Sequence, residues 1–391
     1  MHIKSVFIVW AGIIAGLFLG YFLITKTNVL SIGTKNSSIS NVFKPPQKIV
    51  IGFLPFWLID KASDDYSSYI TQLSYFNVTI DSDGTIQKYT SPGQSDPGWH
   101  ALFSGKVDSY LANAKSKGIN LSLTVFSGDD EKITQLLNDP IYSAANLVHE
   151  ISPVLLQYGF TDLNLDIEKI ADATPTERQN FSNFVSDVRN SLNENITITV
   201  DCPPISFVKD KNLCDPKTLS EVSNYIVLMD YDFHNQGSSV TGPVSPQSGA
   251  GIGSEFDTES AVQAALSVVP ARKLVLATPL YGYSWETINP TPRSAVIPAS
   301  AFSISTRSIE EFLADCASCS ATFDETDQES HYSYKDIGTG TFYQVFYPNK
   351  TSMQVKVDFA KSQNLGGMAL WALGYEDSVI LQPLSGMGAT K

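Results

Sequence analysis

Apolar, β-rich runs recur along the chain from residue 48 onward, at 49–54, 73–80, 120–126, 161–167, 196–201, 225–230, 274–279 and 367–373. Between them, apolar positions fall at helical spacing. Thr174-Pro-Thr-Glu177 predicts a helix start, with a capping threonine, proline at the first helical position and glutamate at the third. Phe181, Phe184, Val185 and Val188 continue it on one face. Tyr110, Leu111 and Ala114 mark another helix, which Gly118 stops. Eight runs alternating with helices predict an α/β fold, a (β/α)8 TIM barrel rather than an open doubly wound sheet. No glycine-rich phosphate loop follows the first run, which argues against dinucleotide binding. More than eighty residues separate Pro279 from Gly367, against about 2–6 for a short connection. They hold a helical pattern at 308–315 and strand-like runs at 332–335 and 342–346. The expectation is a small α+β insertion, at about residues 284–350, between the seventh and eighth strands.

The fourth run stands apart. Leu163, Leu165 and Ile167 face one way, and Asp162, Asn164, Asp166 and Glu168 face the other. Such a polar stripe on an apolar strand is expensive to bury unless each group finds a partner or a shifted pKa. A half-exposed amphipathic strand is the simplest explanation of the alternation. The remaining strand ends argue against it, because a barrel carries its site there. Phe56-Trp57 ends the first strand, Met229-Asp-Tyr231-Asp232 the sixth, Tyr281-Gly-Tyr283-Ser-Trp285 the seventh and Trp371 the eighth. Aromatic platforms beside carboxylates suit sugar rings, whose C–H faces stack while their hydroxyls hydrogen-bond.

Glycoside hydrolysis needs a carboxylic acid at the leaving oxygen, and Glu168 is the candidate. Asp166, two residues away on the same face, is expected to share a proton with it and so raise the acid's pKa. Two carboxylates on one strand do not easily flank a sugar from opposite faces. A substrate whose own 2-acetamido oxygen attacks the anomeric carbon resolves this, a known exception to the two-carboxylate scheme.

Composition narrows the partners. The 391 residues carry a net charge of −14, which argues against nucleic acid and suits a neutral substrate. Residues 6–24 form 19 positions without a charge. At about 1.5 Å per residue they just span a bilayer core of about 30 Å. An N-terminal transmembrane anchor over residues 1–25 is favoured over a cleaved signal sequence, because no good cleavage site follows. Residues 26–47, polar and ending in Lys44-Pro-Pro, read as a flexible linker to a catalytic domain at 48–391. The expected location is membrane-anchored with the domain extracytoplasmic, or secreted if the segment is cleaved. Four cysteines fit two disulfides there, Cys202 with Cys214 and Cys316 with Cys319. A zinc site is disfavoured because the five histidines are scattered. No metal or cofactor is expected.

With these motifs in view, residues from about 48 to 380 resemble the family 18 glycoside hydrolases, the chitinase-like group. That family's D-G-x-D-x-D-x-E appears as Thr161-Asp-Leu-Asn164-Leu-Asp166-Ile-Glu168, and its M-x-Y-D as Met229-Asp-Tyr231-Asp232. Tyr281-Gly282 and Gly366-Gly-Met-Ala-Leu-Trp371 complete the set. Residues 242–246 and 370–377 look most like bacterial members, a subgroup that includes enzymes acting on spore peptidoglycan. The resemblance implies retaining, substrate-assisted hydrolysis of a β-1,4-linked N-acetylglucosamine polysaccharide or oligosaccharide, chitin or peptidoglycan. It implies Glu168 as acid and then base, Asp166 as orienter of the acetamido group, and Tyr231 as its hydrogen-bond partner. Asp232 and Met229 would help hold the sugar, Trp371 would floor it, and Trp57, Phe53 and Tyr281 would line the cleft. Departures are Thr161 and Asn164 in place of acids, Asp162 at the glycine position, Tyr283 where many members have arginine, and Phe126-Ser-Gly128 on the third strand. Asn164 is expected to hydrogen-bond Asp166 without sharing a proton, leaving Asp166 no inner anionic neighbour. The alternative from another class is a catalytically weak or inactive glycan-binding relative, which would usually have lost the acid that this chain keeps.

Overall fold

An open sheet exposes two unpaired edges, and here the eight strands avoid them by closing on themselves. The computed structural model describes residues 48–249 and 256–388. Its barrel strands are β1 (Ile49–Pro55), β2 (Gln72–Thr79), β3 (Asn120–Ser127), β4 (Asp162–Ile167), β5 (Thr197–Cys202), β6 (Tyr225–Met229), β7 (Leu274–Pro279) and β8 (Gly367–Trp371). Each pairs in parallel with its sequence neighbours, and β8 pairs with β1 to complete the closed barrel. The closing seam demands glycine at Gly367, where a Cβ would lie 1.9 Å from the carbonyl oxygen of Ile49.

Helices between the strands follow the expected signals. The helix Pro175–Ser191 opens with a capping box: Glu177 N–H donates to Thr174 Oγ1 at 3.2 Å and Thr174 N–H to Glu177 Oε2 at 2.8 Å. It buries Phe181, Phe184, Val185 and Val188. The helix Pro140–Tyr158 ends at Gly159, whose φ of 74° is the left-handed conformation that favours glycine. The main hydrophobic core lies between these helices and the outer faces of the strands.

Inside the barrel the filling is divided. Ile51, Phe53, Phe76, Val227, Val275, Ala277 and Ala369 form an apolar half. On the β2–β5 side the interior is polar, with Ser74, Ser122, Thr124, Asp162 and Thr199 all buried. Ser74 Oγ lies 3.0 Å from Ser122 Oγ and 2.9 Å from Thr124 Oγ1. Asp162 accepts from Gln72 Nε2 at 3.2 Å, Ser122 Oγ at 2.7 Å and Thr199 Oγ1 at 3.0 Å, and also from Thr197. Four donors on three neighbouring strands make Asp162 a satisfied brace of the barrel floor.

Between β7 and β8 stands a five-stranded sheet, in the order Phe302–Ser305, Tyr281–Thr287, Phe342–Tyr347, Glu329–Lys335, Thr322–Asp324. Neighbouring strands run antiparallel. The helix Thr306–Asp315 packs on one face over Tyr332, Val345 and Tyr347. Tyr281, Tyr283, Trp285 and Phe346 line the other face against Val244 of the segment after β6. The sheet begins at Tyr281, two residues after β7 ends, and not near 284. The tyrosines read as the tip of the seventh strand belong instead to the first strand of this sheet. Cys202 is bonded to Cys214 and Cys316 to Cys319. The expected anchor at 6–24 and linker at 26–47 lie outside the described residues. Among the described residues no helix is long and apolar enough to cross a membrane.

Candidate active site

At the C-terminal mouth of the barrel lies a cleft of about 550 Å³. Its lining includes Asp166 and Glu168 from the end of β4, Met229, Tyr231 and Asp232 from the end of β6, and Phe53 and Trp57 from β1 and beyond. Tyr281 and Trp371 close it on the β7–β8 side. Nine of the ten expected catalytic and substrate-binding positions thus meet in one cavity. The tenth, Asn164, is buried one layer below.

Period-two geometry sends Asp162, Asn164 and Asp166 of β4 into the barrel, and all three are buried. Glu168 continues the series just beyond the strand, where its N–H donates to Ser127 O of β3 at 2.8 Å. The turn that follows is pinned as well: Asp130 accepts from the backbone N–H groups of Ile170 at 2.7 Å and Ala171 at 2.9 Å. Glu168 is the exposed member of the series, with its side chain open to the cleft. Surrounding protein and the nearby Asp232 still raise its pKa above the ordinary glutamate value. For Asp166 burial comes first, then repulsion from Glu168 and Asp201, and its carboxyl is pushed well above the usual range. No lysine, arginine or histidine lines the cleft among the described residues, so nothing there offsets these shifts. Tyr231, half-buried among the same carboxylates, is held as a neutral phenol far above its normal pKa.

Two corrections concern this cluster. Asn164 does not pair with Asp166: its Nδ2 donates to Asp201 Oδ1 of β5 at 2.8 Å. Nor is Asp166 without an inner acidic neighbour, because Asp201, also buried and lining the cleft, takes that place. Asp201 escaped the reading of strand ends. Its signal was present nonetheless, since Thr197, Thr199 and Asp201 alternate with Ile198, Val200 and Cys202 just as the polar stripe of β4 does.

Aromatic rings build the walls. Trp371 meets Phe76 edge-on at 4.6 Å and Phe53 at 5.9 Å between ring centroids. Trp57 stands 46% exposed at the rim, 6.5 Å from Trp371. Trp285, expected as a further platform, is instead fully buried and donates its Nε1–H to Asn235 O at 3.1 Å. Tyr283 is the residue gained. Its hydroxyl donates to Asp232 Oδ1 at 3.0 Å, and Tyr281 donates to the same oxygen. The clamp holds Asp232 in a left-handed backbone conformation, φ 62°, uncommon for a residue with a side chain. Burial raises the Asp232 pKa despite these two donors.

Known proteins share this architecture. A solved Group IV chitinase of Ostrinia furnacalis in complex with allosamidin superposes with a TM-score of 0.74 at 20% identity, covering 87% of this chain and 97% of that one. The spore cortex-lytic enzyme of Bacillus cereus superposes at 0.70 with 20% identity, over 88% of this chain and 74% of its own. At such identities these likenesses speak for the fold. In sequence, the chain is 27% identical over 324 residues to the cortical fragment-lytic enzyme of Bacillus subtilis (strain 168), covering 81% of this chain and 67% of that protein. It is also 27% identical over 296 residues to a probable di-N-acetylchitobiase of Dictyostelium discoideum, covering 68% and 74%. The profile of the glycosyl hydrolases of family 18 matches residues 40–376. That match takes in every barrel strand and the β4 acids, and by it this chain belongs to family 18 and is a glycosidase.

Proposed function

We propose that the chain hydrolyses a β-1,4-linked N-acetylglucosamine polysaccharide, of chitin or peptidoglycan type, with retention and with the substrate's acetamido group as nucleophile. One observation carries the reading: Asp166, Glu168 and Tyr231 converge in a single aromatic-walled cleft. Glu168, solvent-open and with a raised pKa, protonates the glycosidic oxygen as the bond to the anomeric carbon breaks. The acetamido oxygen bonds to that carbon, and the resulting oxazolinium cation faces the Asp166 carboxyl. Tyr231 donates its phenolic proton in a hydrogen bond to the acetamido group, a role that suits its persistently neutral form. Water then enters with Glu168 as base, the ring opens, and the anomeric configuration is restored. Trp371 supplies the apolar floor, Asp232 a hydroxyl acceptor, and Trp57 a stacking surface at the rim. Similarity to both a cortical fragment-lytic enzyme and a chitobiase supports the shared sugar rather than one polymer. Two disulfides and the uncharged stretch at 6–24 support an extracytoplasmic location.

The test is Glu168→Gln with a chromogenic di-N-acetylchitobioside. Turnover should fall by about 10²–10⁴-fold while binding, followed by tryptophan fluorescence, persists. A variant that cleaves as fast as the parent removes the role given to Glu168. Cellobiosides, which lack the acetamido group, should not be cleaved, and efficient cleavage would sink the substrate-assisted route.

A further inference from the structure

Asn164 and Asp201 make a polar contact across the β4–β5 seam beneath the cleft, and no expected role accounts for Asp201. Thr199 and Val200 pair with Asn164 and Leu165 in the registered ladder. The next residue on each strand is Asp166 on β4 and Asp201 on β5. Paired strands lie about 4.8 Å apart, and both carboxyls line the cleft. Asp201 Oδ1 accepts a hydrogen bond from Asn164 Nδ2 at 2.8 Å. This fixes which way the amide points, because the accepting carboxyl oxygen binds its NH2 end. Two acceptors are then left over. Asn164 Oδ1 and Asp166 Oδ1 are both buried without a hydrogen-bond donor. A buried acceptor is rarely left unpaired, and one proton carried by Asp166 relieves the shortage.

We propose that Asp201 is a positioning residue of the catalytic centre: it fixes the amide of Asn164 and, as the neighbouring anion, keeps one proton on the Asp166 side of the cluster in the resting enzyme. The acid missing from position 164 of β4 is thereby supplied by the adjacent strand. The titratable groups around Asp201 are Asp162, Asp166 and Glu168 of β4 and its extension, with Tyr231 beyond β6. Among the described residues no cation lines the cleft to replace the shared proton. The inference rests on the proposed acetamido-assisted reaction, in which Asp166 must be correctly protonated and aimed before the substrate arrives.

Two measurements separate its failure from failure of that reading. The first needs neither turnover nor a variant. In the 391-residue chain, carboxyl ¹³C NMR should show Asp166 and Asp201 titrating together, each in two steps. Independent single-step titrations overturn the inference whatever the substrate proves to be. The second uses Asp201→Asn, close in shape to the parent side chain. On the chromogenic chitobioside, kcat should fall about tenfold or more with KM little changed, and the alkaline limb of the pH profile should move about one unit towards acid. The exchange variant Asn164→Asp/Asp201→Asn, which returns the acid to β4 and the amide to β5, should recover most of kcat. An unmoved pH profile in Asp201→Asn, or an exchange no better than the single variant, overturns it. A fall in KM-dependent binding alone would do the same, since that is what a merely structural role predicts.

Discussion

Three buried or cleft-facing carboxyls, Asp166, Glu168 and Asp201, crowd one end of the barrel, and all three have raised pKa values. An acid whose pKa is raised on folding keeps a proton that the unfolded chain releases. Stability is therefore full below the unfolded value, about 3.9 for Asp, and is lost as pH climbs towards the folded value. Asp166→Asn removes that loss. The variant should melt close to the parent at pH 4 and above it at pH 8, by about 2 °C for each kcal/mol recovered. Thermal unfolding across that range checks this, together with the loss of turnover expected of a residue placed for chemistry rather than stability. At this scale the sequence was informative wherever a polar side chain broke an apolar pattern, as at Asp166 and Glu168. It was misleading where the partner lay across a strand seam. Nothing in the spacing along β4 says that Asn164 should look sideways to Asp201 and not forward to Asp166. That choice is made by the stagger between neighbouring strands.

Elements were more legible than partners. All eight barrel strands lie within a few residues of the apolar runs that announce them, because each strand buries an outer apolar face against a helix. The capping box at Thr174 and Glu177 could be read from four residues, since its chemistry is local. The beginning of the inserted sheet could not. Tyr281 and Tyr283 alternate as a strand tip would, and only the antiparallel pairing with Phe302–Ser305 and Phe342–Tyr347 assigns them to another sheet. One element-level prediction concerns the connection after β5. The Cys202–Cys214 bond spans twelve positions and closes a loop whose Pro203 and Pro204 line the cleft. Chain entropy gives this crosslink about 3 kcal/mol, against about 2 for the short Cys316–Cys319 loop. Replacing Cys202 and Cys214 by serine should therefore lower the melting temperature more than replacing the other pair. It should also raise KM, since two cleft-lining prolines lose their tether. Denaturation and kinetics on the two double variants decide the order.

For the whole molecule the acidic balance, −14 overall, sets the response to pH and salt. Glu329, buried in the inserted sheet, accepts the N–H groups of Val244 at 2.7 Å and Ser245 at 2.8 Å, and burial lifts its pKa to about 7. By the same sign rule, its contribution is complete below the unfolded value of about 4.3 and drains away as pH approaches 7. The chain should thus unfold at a lower temperature at pH 7 than at pH 5. Glu329→Gln should be the less stable protein at pH 5, by about 1–3 kcal/mol for the disturbed acceptor, with the gap narrowing by pH 8. A gap that widens with pH would contradict the assignment. Glu329 is also a reminder that the inserted sheet and the barrel mouth are fastened together at more than one point. The Tyr281–Tyr283 clamp on Asp232 is the most consequential of these fastenings. It means that the sheet is not an exchangeable ornament. A designer who trimmed the chain to a bare barrel, or grafted the sheet of a distant relative onto it, would leave Asp232 in an unfavourable backbone conformation with nothing to hold its carboxylate. Recombination within this family is therefore constrained to move strand Tyr281–Thr287 and the segment after β6 as one inherited block.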